Sequence, residues 1–296
     1  MLTEKPEKLN YYIMKKVDLH IHTSASDGLL APLEILELAR KGGIETIAVT
    51  DHDTISGIED SLKADSLYPS VAVIPGIEFS VRYSPGDLHL VGLFIDHTNT
   101  ALLNKVNDLS LARSERGQRI VEDLRSGGIN IEYEEVVREA AGGAIGKPHI
   151  ARVLVRHGYA SDFQDVFDKY LEKGKPGFAP KKKVELEEAI SLVKQASGIP
   201  ILAHPVSLGL ENYDEFYEEM SRFAEMGLEG IEVYAAMHSK NDVKLFSLIA
   251  EDLGLLISGG SDFHGDKKEK LGYYGGGRRI PAEKLSRKLL EHPVTP

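Results

Sequence analysis

The stretch "VDLHIHTSASDG", residues 17–28, decides the fold. The apolar residues of "VDLHI" predict a buried β-strand. His20 and His22 lie two positions apart, so a strand directs both imidazoles to one face. The loop that follows carries Asp27, whose carboxylate is close in sequence to the same strand end. Taken alone, this pattern is compatible with ordinary hydrogen-bonded histidines, and a metal site here requires further ligands from other parts of the chain.

Apolar runs followed by polar residues recur along the chain. Amphipathic stretches lie between several of these runs and predict helices, one of them with a glycine C-cap signal. Alternating strands and helices predict βα units and a mostly parallel sheet. One connection differs, because "SPGD" (residues 84–87) between two strand-like runs predicts a hairpin turn. The predicted strands are "KKVDLHI", "ETIAVT", "VAVIPGIEFSV", "LHLVGLFI", "IPILAH", "EGIEVY" and "LGLLISG", and the predicted helices include "APLEILELARKGG", "LEEAISLVKQASG", "YDEFYEEMSRFAEMG" and "SKNDVKLFSLIAEDLG".

Residues 99–183 interrupt this alternation. They carry helical patterns, beginning with "ALLNKVNDLSLARSERGQRIVEDLRSGG", and no evident strand. We interpret them as a helical insertion that forms a substrate-binding cap on an α/β domain made of residues 15–98 and 184–296. Residues 1–14 lack the apolar core of a secretory signal and are interpreted as an N-terminal lead-in.

The composition excludes several classes of protein. The chain has 296 residues, of which 42% are hydrophobic and 27% charged, as in ordinary soluble globular proteins. No apolar run approaches the roughly 20 residues of a membrane span, so no membrane partner is expected. The absence of cysteine excludes disulfides and thiolate zinc sites and fits a reducing, cytoplasmic location. A net charge of −11 disfavours a broad basic surface that grips extended nucleic acid.

Nitrogen and oxygen ligands accumulate at the ends of the predicted strands. In a parallel barrel these ends open onto one face, where active sites are built. Imidazoles and carboxylates without thiolates suit Mn, Zn or Fe. Nine candidate ligands are too many for one ion, whereas two or three ions fit. Besides the three residues of the first strand and its loop, the candidates are His52, Glu78, His89, His204, Asp262 and His264.

Each of these residues also has a simpler explanation. A single histidine at a strand end is usually hydrogen-bonded or half-exposed. Asp53 in "TDHD" could cap the helix that starts near "TISGIED", and Gly259 and Gly260 could serve backbone geometry alone. If each simpler explanation were correct, these residues would lie at corresponding strand ends only by coincidence. The joint pattern therefore favours a metal centre.

The motifs together resemble the polymerase and histidinol phosphatase (PHP) family. They appear in the family's order from about Val17 to Gly265, as "VDLHIHTSASDG", "TDHDTISG", "PGIEFS", "AHP" and "GGSDFHG". The resemblance implies a distorted (β/α)7 barrel that holds three divalent metal ions, with Glu78 bridging two of them. The ligands that it implies are His20, His22, Asp27, His52, Glu78, His89, His204, Asp262 and His264.

Three further motifs, two of them in the insertion, indicate a subgroup of this family. "KPHIAR", "GKPGFAP" and "IEVYAAMHS" look like a subgroup that hydrolyses nucleoside 3′,5′-bisphosphates and, in some members, trims short RNA from the 5′ end. For such a phosphoesterase we expect a hydroxide held between metal ions to attack phosphorus, with a small phosphorylated substrate, a nucleotide, as the partner. The candidate catalytic residues are Asp262, His264 and Glu78.

Cations outside the metal ligands would bind the rest of the substrate. His149 and Arg152 are three residues apart and share one face of a predicted helix. Arginine forks match phosphate oxygens in pairs, and His238 begins a helix whose N-terminus favours an anion. The simpler explanation is that helix cations are solvated. The candidate substrate-binding residues are His149, Arg152, Arg116, Arg119, Lys147, Lys175 and His238.

Two other functions remain open at this level. A histidinol-phosphate phosphatase needs one phosphate site and no second clamp. A non-catalytic metal-binding module, accessory to a polymerase, would carry the ligands without hydrolysing any ester. The sequence does not decide the oligomeric state.

Overall fold

The computed structural model describes residues 16–65, 67–140 and 142–291, and the predicted lead-in, residues 1–14, lies outside the described residues. Seven strands form one sheet in sequence order, so that each strand pairs with the next along the chain. The strands are β1 (Val17–Ile21), β2 (Thr46–Val49), β3 (Ala72–Val81), β4 (Leu88–Leu93), β5 (Ile199–Leu202), β6 (Gly230–Ala235) and β7 (Leu256–Gly260).

The sheet curves into a nearly closed barrel. Neighbouring strands are parallel except at β4, which runs antiparallel to both β3 and β5. The seam closes just beyond β7, where Ile21 pairs with Phe263 and the His22 N–H donates to the Phe263 carbonyl over 2.9 Å. The predicted distorted (β/α)7 barrel is confirmed, and the distortion is the hairpin around residues 84–87 that reverses β4.

Helices cover the barrel and build the insertion. Their amphipathic sequences bury one face against the sheet, as Phe216 and Phe223 do. The helices are α1 (Pro32–Gly42), α2 (Ser56–Asp65), α3 (Thr100–Ser126), α4 (Tyr133–Glu139), α5 (Lys147–Arg156), α6 (Phe163–Val166), α7 (Leu186–Gln195), α8 (Tyr213–Glu225), α9 (Lys240–Leu253) and α10 (Arg287–Glu291). Among the described residues, no helix is long and apolar enough to cross a bilayer.

The insertion helices pack around a hydrophobic core of their own. Buried residues between Ile120 and Ala179 form this second cluster, separate from the main core of the barrel. Helix α3 belongs to both, because Leu102 near its start packs in the main core and Leu124 near its end packs in the second. The chain rejoins the barrel where Val184 pairs with Val81 at the end of β3.

The segment after β7 differs from the predicted pattern. No helix follows β7 directly, and the chain instead forms a two-stranded sheet of β8 (Tyr273–Tyr274) and β9 (Arg278–Arg279) and a 3-10 turn at Ala282–Lys284 before α10. These elements are too short to produce a periodic signal in the sequence.

Candidate metal centre

Glu78 lies at the middle of a cluster of histidines. Its side chain, on β3, is fully buried, and both carboxylate oxygens face imidazole nitrogens from other strand ends. Such an arrangement lets one carboxylate serve two ions at once. The contacts of Oε1 are His89 Nδ1 at 3.1 Å, His20 Nε2 at 3.3 Å and His204 Nε2 at 3.3 Å, and those of Oε2 are His52 Nδ1 at 2.6 Å and His22 Nε2 at 3.3 Å.

Two further carboxylates complete the cluster. Asp262 Oδ1 lies 3.1 Å from His22 Nε2 and 3.5 Å from His20 Nε2. Asp27 Oδ1 lies 3.5 Å from His264 Nε2. The structure therefore brings all nine predicted ligands together. Eight of them form three overlapping groups whose ligand atoms lie within 4.8 Å of one another, namely His22–Asp27–His52–His264, His20–His22–Asp262 and His52–Glu78–His89. The ninth, His204, joins the cluster through its 3.3 Å contact with Glu78 Oε1.

The hydrogen bonds of two histidines orient a free nitrogen toward this cluster. His20 Nδ1 is 3.2 Å from Glu232 Oε1, and His264 Nδ1 is 2.8 Å from the Asp262 carbonyl; since both acceptors lack a proton, both Nδ1 atoms donate. In the neutral rings, the Nε2 lone pairs then face the carboxylates of the cluster. This is the usual tautomer of metal-binding histidines.

Buried polar atoms without partners mark the same place. Within the described part of the chain, six buried side-chain atoms have no well-directed hydrogen bond, and five of them belong to the cluster: His22 Nδ1, Asp27 Oδ1, His52 Nδ1, Glu78 Oε2 and His89 Nδ1. Several of the five lie close to one another without hydrogen-bond geometry, as His52 Nδ1 and Glu78 Oε2 do at 2.6 Å. Unpaired buried groups of this kind are costly in an apolar interior. A divalent cation would satisfy these nitrogen and oxygen donors, so the residues present fit a metal centre.

The electrostatic balance of the cluster favours ionised carboxylates. Burial alone would raise the pKa of Glu78, but the surrounding imidazoles, His52 first among them, hold it well below its usual range. Burial lowers the pKa of His22 to about 3, helped by the neighbouring rings of His264 and His52. Burial opposes protonation of His264 as well, yet the carboxylates of Asp27 and Asp262 raise its pKa to about 10.

Three residues at strand ends adopt an uncommon backbone conformation. Asp53, His204 and Asp262, which follow β2, β5 and β7, have φ values of 53°, 25° and 51°. Positive φ is unfavourable for residues with a side chain. It is retained where the contacts of the surrounding structure hold the backbone in that conformation. Two of the three are predicted ligands, and the third adjoins His52.

Asp53 anchors the insertion rather than capping a helix. Helix α2 begins only at Ser56, so the alternative interpretation of Asp53 as its N-cap is wrong. Its buried carboxylate instead accepts from Arg113 Nη2 over 2.7 Å and lies 2.8 Å from Lys181 Nζ. It also accepts from the Ser80 N–H over 2.8 Å. Sequence reasoning missed these partners because they are separated from Asp53 by 27 residues or more.

Carboxylates inside strands support the ligands and were also missed. Glu232 of β6 contacts His20 and accepts the His204 N–H over 2.8 Å. Asp18 of β1, fully buried, accepts the N–H groups of Ser261 and Gly272 across the barrel seam, over 2.8 and 2.7 Å. The available signal was an acidic residue within an apolar run, as in "VDLHI" and "GIEVYA".

Asp51 fixes the loop that carries Asp27. Its buried carboxylate accepts the Thr23 N–H over 2.7 Å, the Thr23 hydroxyl over 2.7 Å and the Ser26 hydroxyl over 2.6 Å. Burial raises the pKa of Asp51 despite these bonds. The position of Asp27 therefore depends on β2 as well as on its own loop.

Gly259 and Gly260 allow close approach of strands. Both lie within β7 and have no positive φ. A Cβ on Gly260 would come within 2.1 Å of the His20 Cβ, and one on Gly259 within 2.9 Å of the Tyr234 Cβ. The glycines thus let β7 approach the neighbouring strands at the metal centre.

Four predicted substrate-binding residues lie near one another between the insertion and the centre. His149 is buried, and its pKa is lowered to about 4 by burial and by Arg152, while Asp27 acts in the opposite direction. Burial lowers the pKa of Lys147, with Arg116 as the next cause. His149 is therefore influenced by both Arg152 and Asp27, and Lys147 by Arg116.

The other three candidates lie apart from this group. The Arg119 side chain is 71% exposed and pairs with Asp123 at 3.9 Å, and Lys175 is exposed. His238 is buried against Phe246, and its Nδ1 donates to the Val233 carbonyl over 2.8 Å. Its Nε2 is buried and has no hydrogen-bond partner among the described residues, and the anion site at the start of α9 stays a prediction.

Comparisons with known proteins agree with this geometry. A family model described as PHP domain matches residues 18–179. The chain is 35% identical to the 5′-3′ exoribonuclease Rnm of Escherichia coli, over 86% of each protein. It is 34% identical to the 3′,5′-nucleoside bisphosphate phosphatase of Chromobacterium violaceum, over 85% of this chain and 88% of the relative.

A solved structure extends the agreement to the fold. A Bifidobacterium adolescentis protein assigned to the metal-dependent phosphoesterases matches with a TM-score of 0.78 and 28% identity, over 90% of this chain and 92% of that one. The chain belongs to the PHP domain family and is a metal-dependent phosphoesterase of that family.

Proposed function

We propose that this protein hydrolyses phosphate esters of small nucleotides that carry a second phosphate group. The substrates would be nucleoside 3′,5′-bisphosphates or short 5′-phosphorylated oligonucleotides. In this proposal residues 99–183 form the substrate-binding cap, and the nine-residue cluster holds three divalent ions, of Mn, Zn or Fe. The observation that carries the metal proposal is Glu78 within 3.3 Å of five imidazole nitrogens.

Divalent ions bound in such a cluster activate water and neutralise phosphoryl oxygens. The residues of the chain hold the reacting groups in place. His20, His22 and Glu78 are completely buried, whereas the Asp262 and His264 side chains are 22% and 26% exposed. Asp262 and His264 are therefore accessible to a substrate, as is His89, whose side chain is 22% exposed. We assign to Asp262 or His264 the transfer of a proton to the leaving oxygen.

Half-buried cations support a second phosphate site. Arg116 bonds only to the Ala179 carbonyl over 2.9 Å, and Lys147 Nζ to the Leu171 carbonyl over 2.5 Å. Neither forms an ion pair with a carboxylate of the described residues. Cations that are partly removed from water and lack a counter-charge favour an anionic ligand. On a chain with a net charge of −11, this local excess is unusual.

The relatives favour the same substrates. Two proteins of similar length and about one-third identity are named an exoribonuclease and a nucleoside bisphosphate phosphatase. Histidinol phosphate carries a single phosphate and gives the cation group of the cap no partner. The nucleotide proposal therefore accounts for more of the structure.

Arg116→Met tests the clamp, with Arg119→Met as its matched control one turn further along α3. We expect the Arg116 variant to lower kcat/KM for 3′-phosphoadenosine 5′-phosphate about tenfold or more, since a hydrogen bond to a charged group contributes about 1.5–3 kcal/mol. Hydrolysis of p-nitrophenyl phosphate, which has no second phosphate, should change little. The Arg119 variant should behave as wild type on both substrates.

Equal losses on the two substrates in the Arg116 variant would reject the clamp. Faster turnover of histidinol phosphate than of any nucleotide would instead favour the monophosphate phosphatase. Failure to release phosphate from any ester, with Mn or Zn supplied, would favour the accessory module.

A further inference from the structure

A cavity that none of the nine cluster residues lines lies beside α1. It measures about 510 Å3 and opens between the carboxyl end of α1 and the segment 263–273. Elsewhere in the barrel a helix follows most strands, but here the described chain continues from β7 as coil. Because coil takes the place of a helix after β7, the cavity remains beside α1.

The cavity combines an apolar wall with a basic rim. Leu30, Ile44 and Leu271 contribute to the wall. Of the two acidic residues at the rim, Glu269 already accepts the backbone N–H groups of His264 and Asp266, over 2.6 and 3.2 Å. Five cations line the rim, and they are Lys16, Lys41, Lys267, Lys270 and Arg279. Lys41 pairs with Glu37 at 2.6 Å, so the other four provide the basic character of the rim.

Two of these cations converge on one aromatic ring. Lys270 Nζ lies 3.9 Å from the centroid of the Tyr273 ring, and the Arg279 guanidinium lies 5.9 Å from it. Hydrogen bonds from Arg279 and Lys270 lower the pKa of the Tyr273 hydroxyl. The rim therefore offers a phosphate-binding fork and a lysine beside a flat apolar surface.

We propose that this cavity binds a nucleoside monophosphate at a site distinct from the metal centre. Its volume lies in the range of small-molecule sites, which are mostly apolar with a few placed polar groups. The base would pack against the apolar wall and Tyr273, and the phosphate would lie between Lys270 and Arg279. An inorganic anion would leave the wall unused. The proposal does not depend on which ester the metal centre hydrolyses.

The bound nucleotide would contact the segment that holds His264. Phe263 and Gly265, which flank this histidine, both line the cavity. Glu269, which also lines it, fixes the His264 backbone. A nucleotide in the cavity would therefore contact residues that flank or hold His264, a member of the metal cluster.

Photo-crosslinking with 8-azido-AMP tests the site on the intact protein. We expect the label on Tyr273 or between Leu38 and Ile44. Lys270→Glu with Arg279→Glu should reduce this labelling at least about tenfold, because both cations proposed to bind the phosphate would become carboxylates that repel it. Leu38→Trp, which fills the cavity without changing its charge, should reduce it as well. Lys240→Glu with Lys244→Glu on α9 reverses two charges away from the cavity and should have no effect.

Three outcomes would overturn the proposal. The first is a label confined to the metal centre and the residues 147–152 of the cap. The second is unchanged labelling of Tyr273 and of residues 38–44 in both cavity variants. The third is protection by inorganic phosphate as strong as protection by AMP, because the apolar wall would then contribute nothing. If the variants do not fold, as judged by circular dichroism, the position of the label in the wild-type protein decides.

Discussion

Glu232 shows how a single residue outside the ligand set holds two histidines. One carboxylate oxygen contacts His20 Nδ1 and the other accepts the backbone N–H of His204. The first contact fixes the tautomer of His20, and the second fixes the backbone of a residue with positive φ. Partners of this kind raise the metal affinity of the histidines that they orient.

Replacing Glu232 by Gln should weaken metal retention. The amide cannot accept at both positions, so His20 would lose its fixed orientation. We expect about 10–100-fold lower metal affinity, as is typical for such partners, measured by competition with a chelator of known affinity. Glu229→Gln is the control, because Glu229 lies just before the same strand and pairs only with exposed Lys194 and Lys288. Unchanged affinity in the Glu232 variant would contradict this role.

Replacing Gly260 by Ala should disrupt the centre sterically. The new methyl group would lie 2.1 Å from the His20 Cβ, and backbone must move to relieve the contact. We expect a loss of about 1–3 kcal/mol in the free energy of unfolding, as for overpacked cores, together with lower metal content. Gly42→Ala is the control, since its nearest neighbour would be 3.8 Å away. Equal stability of the two variants in urea unfolding would refute the close-approach explanation.

At the level of elements, α3 links the insertion to the barrel. Arg113 from the middle of this helix is buried and bonds both to Asp53 and, over 3.2 Å, to the His52 carbonyl. Lys181, at the other end of the insertion, reaches the same carboxylate. The insertion is thus tied near both of its ends to the strand end that carries His52.

Asp53→Asn should loosen this attachment. Two cations would be left without their buried counter-charge, a change that typically costs about 3–5 kcal/mol. We expect a drop of this order in the free energy of unfolding at pH 7. Asp123→Asn, which removes an exposed carboxylate from α3, should change stability by less than about 0.5 kcal/mol. A drop no larger than that of the control would show that the triad does not hold the cap.

The same variant has a defined pH dependence. Arg113 and Lys181 help to hold the pKa of Asp53 below its ordinary value, although burial acts against them. A carboxylate with a lowered pKa stabilises the folded state above about pH 4 and loses that contribution as the pH falls further. The difference in stability between wild type and Asp53→Asn should therefore shrink below about pH 4. A constant difference from pH 7 to pH 3 would contradict the ion-pair explanation.

The sequence predicted most elements because their periodicity is local. Apolar runs located all seven strands of the barrel, and amphipathic stretches located most of its helices and those of the insertion, but not α10. It could not predict the Asp53 partners, because Arg113 lies 60 residues away and no local pattern connects them. Nor did it predict the coil after β7, where β8 and β9 have two residues each.

For the whole molecule, the core of the barrel and the core of the insertion share helix α3, and a third hydrophobic cluster packs α1 against β1 and β2. The sequence predicted the nine residues that the structure gathers, because strand ends and motif order identify donors without any distances. It could not separate Arg116 from Arg119, which lie three residues apart on α3, because only the packing of the insertion decides which faces a carbonyl inside the protein. Residue type identifies the candidate metal ligands, whereas packing decides which arginine can belong to the proposed phosphate clamp.

The central claim is that the cluster around Glu78 holds divalent metal ions that carry out phosphoester hydrolysis. Metal analysis of the purified protein, joined to phosphate release from 3′-phosphoadenosine 5′-phosphate before and after chelation, tests it most directly. We predict three equivalents of metal per chain, one for each group of the cluster. Activity should disappear on chelation and return with Mn or Zn, and Glu78→Gln should lose both metal and activity. Full activity after chelation, or full metal content in the Glu78 variant, would contradict the account.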